Sequence, residues 1–150
     1  MNKARQMRST ARLYAVQALF QMEASGQTVE AVREEFETYR FGATYNGETL
    51  AEGDVDLFRE IMDGAVNMQA KIDQATDRAL VAKWPIARID PTLRALFRAA
   101  GAEFDTDAPP KVIISEYVDV AKAFFPDGKE PSFVNAVLDF MAREAKPAAF

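Results

Sequence analysis

The sequence predicts an all-α fold of six or seven helices forming one domain over residues 1–150. Two patterns carry that expectation. Apolar residues recur at steps of three and four in every periodic stretch, the spacing of a helix with one buried face. No stretch shows the apolar–polar alternation of a half-buried strand, and no segment repeats another.

Residues 1–8 lack apolar periodicity and read as an arm or a frayed first turn. Ser9 or Thr10 can cap a helix running to about Ser25, and Gly26 can take the left-handed conformation that stops it. Leu13, Val16 and Phe20 form its apolar stripe. Continued backwards, the same helix gathers Arg5, Arg8 and Arg12 into a cationic strip that can track a phosphate backbone. Thr28 caps a second helix, with Val29, Val32, Phe36 and Tyr39 inward and Glu30, Glu34, Glu35 and Glu37 in solvent. Residues 42–53, rich in glycine, read as a mobile loop. Within it, Gly42 to Thr49 has the spacing of a phosphate-binding loop, but Glu48 stands where the lysine belongs and would repel phosphate.

Asp54 opens the longest helix, whose face Phe58, Ile61, Ala65, Met68, Ile72, Ala75 and Ala79 runs on without a break. Its small residues allow a neighbouring helix to approach, whereas Gly64 inside it costs about 1 kcal/mol against alanine. Asp73 and Asp77, one turn apart with no third ligand type nearby, read as surface charges. Trp84-Pro85 ends the region, because the residue before proline avoids helical angles. Asp90-Pro91 starts the next helix as cap and first-turn proline, with Leu93, Leu96, Phe97, Ala100 and Phe104 as its stripe. Asp105 to Pro110 is a turn. Val112-Ile113-Ile114 alone would read as a strand, but the apolar arc continues through Tyr117, Val118, Val120, Ala121, Phe124 and Phe125. A helix that apolar belongs at the centre of its domain.

The composition narrows the function. The chain contains no cysteine and no histidine, which excludes disulfides, thiolate nucleophiles, Cys/His zinc sites and histidine-based triads. That shifts the expectation from an enzyme to a binding protein, without cofactor or metal. No apolar run approaches the length of a membrane span or a signal segment, so the protein reads as cytoplasmic. The first 22 residues carry +4, from Lys3, Arg5, Arg8 and Arg12, against a net −5 for the chain, leaving −9 elsewhere. A basic N-terminal segment on an acidic body fits an anionic polymer docking at one end, or simply a solvated terminus.

After the turn Pro126-Asp127-Gly128, Pro131 precedes a last helix with Val134, Val137, Leu138 and Met141 as its apolar face, ending at Lys146-Pro147. Phe133 and Asn135 fall to either side of that face, each about 100° from its centre. On these residues alone they fit an edge core aromatic and a solvated amide, or a ring and an amide that meet a partner.

The stretch Ser132 to Asp139 resembles the signature F-V-N-G-V-L-D of the NusB family of transcription antitermination factors. Three further blocks resemble the family in the same order. Arg12 to Phe20 is similar to A-R-x-x-A-V-Q-A-L-Y, Leu93 to Phe104 to L-R-x-A-x-x-E-L with Arg98 and Glu103 kept, and Val112 to Phe124 to V-x-I-N-E-x-V-E-L-A-K-x-F. The resemblance implies two small helical bundles packed roughly at right angles. It implies a non-catalytic factor that binds the single-stranded boxA element of nascent RNA together with the ribosomal protein NusE, notably in ribosomal RNA operons. The pair then helps to assemble the antitermination complex on RNA polymerase. Carried onto this sequence, the resemblance implies RNA contact at Phe133; with it, Lys3, Arg5, Arg8, Arg12, Lys129 and Asn135 are the candidate RNA-binding residues. The chain departs from the family pattern where Ser9 and Thr10 interrupt the arginine run, where Ser132 replaces a basic residue, and where Ala136 replaces glycine. A thinner basic run implies weak RNA affinity that relies on the partner. The other readings are a protein–protein adaptor on the same fold, or the RNA-binding module of an RNA-modifying system.

Overall fold

A computed structural model describes residues 2–42, 44–45, 48–49, 52–83 and 89–150. The described residues form seven α-helices, a two-residue antiparallel pair and a short terminal 3-10 turn, in keeping with the all-α expectation.

Helix α1 (Lys3–Ser25) begins seven or eight residues earlier than a cap at Ser9 or Thr10 would place it. Asn2 is its cap, its side-chain oxygen accepting the amide of Ala4 at 2.8 Å. Gly26 ends it at φ 75°, a left-handed conformation that costs glycine nothing. The buried face of α1 is Ala11, Tyr14, Ala15, Val16, Ala18 and Leu19, together with Arg12. Leu13 is only partly buried and Phe20 is exposed, so the face is rotated from the Leu13–Val16–Phe20 stripe.

Helix α2 (Val29–Tyr39) is capped by Thr28, which accepts the Ala31 amide, and buries Val32 and Phe36. Tyr39, expected inside, is 57% exposed at the last residue of α2. Thr44–Tyr45 pairs antiparallel with Glu48–Thr49. Within the glycine-rich stretch that suggested a mobile loop, residues 43, 46–47 and 50–51, and with them part of the phosphate-loop-like spacing, lie outside the described residues.

The unbroken helix expected from Asp54 onward is two helices, α3 (Val55–Asn67) and α4 (Gln69–Lys83). Met68 leaves the helical region at φ −114°, ψ 18°. The break follows Gly64 and Asn67, two weak helix formers in the last turn of α3. A one-residue turn keeps the three-and-four spacing, so Phe58, Ile61, Ala65 and, beyond the break, Ile72 and Ala79 still face the core. Gly64 has a packing reason: a side chain there would stand 3.2 Å from the Ala102 methyl on α5. The Trp84-Pro85 stop lies outside the described residues.

Helix α5 (Pro91–Phe104) starts as expected, Asp90 accepting the Thr92 amide at 2.7 Å, and its stripe is wholly buried. Helix α6 (Pro110–Phe124) is helical throughout despite its β-branched start, and α7 (Glu130–Ala145) follows. The order of contacts groups α1, α2 and α3 on one side and α4, α6 and α7 on the other. Helix α5 touches α1, α3, α4, α6 and α7 and joins the two groups through one continuous core.

That core has two anchors. Tyr14, Phe36, Phe41 and Phe58 form an edge-and-stack cluster with ring centroids 4.9–6.1 Å apart between α1, α2 and α3. Each such contact contributes about 0.5–1.5 kcal/mol beyond the area it buries. Across α4 and α5, Arg98 grips Asp73 with two bonds of 3.0 Å and reaches Glu23 on α1. Asp73 is therefore a structural partner and not the loose surface charge that its spacing to Asp77 implied.

Candidate nucleic-acid interface

The cationic residues of α1 divide into two kinds. Arg12 does not lie on an open strip. Its side chain is 5% exposed, and its Nε and Nη2 donate to the two carboxylate oxygens of Glu103 at 2.8 and 3.1 Å. Nη1 lies 3.6 Å from Glu116 on α6. Burial alone weakens the guanidinium's hold on its proton, but the Glu103 bond and the nearby carboxylates outweigh it and hold Arg12 above its ordinary pKa. Beside them the Tyr117 phenol is driven well above its usual pKa, first by complete burial and then by the charge of Glu103. Arg12 is a structural cation, which corrects its place among the phosphate-facing residues.

Lys3, Arg5 and Arg8 do stand exposed, as turns of a helix and not as an arm. Lys3 reaches Glu52, just ahead of α3, at 3.2 Å. Arg5 lies 3.7 Å from Glu116, whose other oxygen accepts from the Ser9 hydroxyl at 3.1 Å. Arg8 has no ion pair among the described residues and borders a shallow cleft with Met7, Gly53, Asp54 and Asp56. The Asp54 amide donates to the Met7 carbonyl at 3.0 Å, tying this end of α1 to the entry of α3.

The remaining candidates sit on α7. Phe133 is half-buried, its ring edge-on to the buried Phe97 at 6.1 Å, so one part packs on α5 while another faces solvent. Asn135 is exposed on the opposite flank, as the angular argument required. It borders a groove of about 400 Å³ between α6 and α7 with Ser115, Val118, Lys122, Arg143 and Phe150. Lys129 is exposed at the start of α7, where its carbonyl accepts the Phe133 amide. Arg5 and Arg12 thus meet at Glu116, whereas Phe133 and Asn135 occupy separate flanks of α7.

Sequence reasoning missed the part played by Glu116. The signal was present: an acid inside the apolar arc of Ile113, Ile114, Tyr117 and Val120 needs a buried cation.

Comparison with known proteins bears on the chain's family and fold. The NusB family model matches residues 9–143. A transcription antitermination protein NusB from Maricaulis maris is 46% identical, covering 99% of this chain and 93% of its own length. One from Brucella anthropi is 47% identical, covering 90% of this chain and 81% of its own. Among solved structures, a chain in the crystal structure of antitermination factors NusB and NusE in complex with dsRNA superposes with TM-score 0.71 at 22% identity, covering 93% of this chain and 98% of that one. A chain in the crystal structure of a plectonemic RNA supercoil gives TM-score 0.70 at 24% identity, covering 91% and 94%. The two structures bear on the fold; the family model and the relatives, matched along nearly the whole length, bear on descent. This chain belongs to the NusB family.

Proposed function

We propose that this chain is a transcription antitermination factor of the cytoplasm that binds single-stranded boxA RNA jointly with the ribosomal protein NusE, without catalysis of its own. The complex then joins the antitermination assembly on RNA polymerase. Kinship to antitermination proteins over almost the full chain carries the reading. The geometry supplies the parts it needs. Lys3, Arg5 and Arg8 offer cations to phosphates from the first turns of α1. Phe133 offers a half-open ring on which an unstacked base can lie, Lys129 offers a cation at the start of α7, and Asn135 offers a polar contact on the other flank of that helix.

Three phosphate contacts on a single strand give a slope of log K against log salt no steeper than about −2. Replacing Lys3, Arg5 and Arg8 together by alanine should flatten that slope towards zero while helicity stays intact. A triple variant with the wild-type slope would remove the start of α1 from the site.

A further inference from the structure

Two of the three exposed cations on α1 already hold an acid. Lys3 is 3.2 Å from Glu52, and Arg5 is 3.7 Å from Glu116, while Arg8 has no ion pair among the described residues. The two acids differ in depth: the Glu52 side chain is 61% exposed and that of Glu116 only 10%. Glu116 is fixed from three positions on α1, by Arg5, by the Ser9 hydroxyl at 3.1 Å and by Arg12 at 3.6 Å. Arg12 cannot neutralise it fully, because Arg12 is already bonded twice to Glu103. One buried cation thus faces two buried carboxylates, and Arg5 supplies the missing positive charge at the surface.

We infer that Glu52 and Glu116 stand in for phosphates on Lys3 and Arg5, so that RNA binds α1 by exchanging its phosphates for these carboxylates. The inference rests on the RNA reading of α1. A carboxylate that loses its cation to RNA recruits a counterion from solution, offsetting part of the counterion release that drives binding. It also repels the incoming phosphate across the shared cation. At about 7 Å in a water-like dielectric, that repulsion corresponds to about a two- to fourfold loss of affinity per carboxylate at low salt. Glu52 and Glu116 therefore lower affinity and blunt its salt dependence, leaving Arg8 as the cation that RNA meets first.

The test is titration of single-stranded boxA RNA against the full chain over a range of salt. Glu52→Gln and Glu116→Gln should each tighten binding about two- to fourfold at low salt and steepen the slope towards about −2. Ser9→Ala removes the hydrogen bond to Glu116 but no charge, so it should leave both unchanged. In a double-mutant cycle, Arg5→Ala should cost more in the Glu116→Gln background than in wild type, whereas Arg8→Ala should cost the same in both. Glu52 is on the surface, so its variant remains informative if Glu116→Gln folds poorly. Wild-type binding with unchanged or weakened Glu52→Gln and Glu116→Gln variants overturns the exchange alone. Equal gains from Ser9→Ala would also overturn it, pointing to a looser α1 as the cause. A wild-type chain that binds no RNA overturns the RNA reading as well.

Discussion

Replacing Arg12 by alanine separates a structural cation from an RNA contact more sharply than any other change. The side chain is 5% exposed, and it faces Glu103 at 2% and Glu116 at 10%. Truncation leaves both carboxylates without their buried cation and opens a void between α1, α5 and α6. Breaking a buried pair by removing one partner costs about 3–5 kcal/mol, since the remaining charge stays desolvated. Set against a total stability of about 5–15 kcal/mol for a chain of this kind, that is a large fraction. The Glu103→Gln variant should lose less, and the double variant should lose less than the two single losses combined, because the second change removes the charge stranded by the first. Urea melts followed by circular dichroism at neutral pH would measure all three. An Arg12→Ala protein within about 1 kcal/mol of wild type, with a shallower salt dependence of RNA binding, would refute the structural role and restore Arg12 to the phosphate strip.

Three further outcomes are expected. Phe133→Ala should weaken boxA binding tenfold or more, as loss of a stacked base worth about 1–3 kcal/mol implies, while unfolding within about 2 kcal/mol of wild type. Titrations and melts on one preparation would check this, and a badly destabilised protein with normal residual affinity would assign the ring to the core. Tyr117 keeps its proton in the folded state at pH values where the unfolded chain releases it, so stability should fall as pH rises above about 10. Tyr117→Phe should make that alkaline decline shallower, read as melting temperature against pH, although Tyr14, whose pKa burial also raises, leaves a remainder of the same sign. Gly101→Ala should cost about 1–3 kcal/mol in the same melts, because an added methyl would overlap the Ile72 side chain where α4 crosses α5.

Helix content was legible because large apolar residues mark a face at the helical period, and α5, α6 and α7 follow that signal closely. Helix α1 misled for a physical reason. Its buried face is built largely of Ala11, Ala15 and Ala18, whose methyls carry little hydrophobic signal yet let neighbouring helices approach. Weighting Leu13 and Phe20 instead rotated the face and left Arg12 on the outside. The start of α1 was hidden too, because a lone Asn2 before a polar helix looks like any polar terminus. The turn at Met68 was invisible because a one-residue interruption leaves the apolar spacing intact. At the candidate site, the half-open position of Phe133 followed from its angle on α7, whereas the pairing of Arg5 with Glu116 depends on two residues 111 positions apart in the chain and could only come from the fold.

The measurement that bears most directly on the central claim is the affinity of this chain for boxA RNA with and without NusE. A basic patch of three cations on an acidic body gives little affinity alone, so adding the partner should tighten binding at least tenfold, about 1.4 kcal/mol of coupling. The same chain should tighten NusE on RNA by the same factor, because the coupling is reciprocal. Equal RNA affinity in the presence and absence of NusE would contradict the assignment of joint RNA binding to this chain.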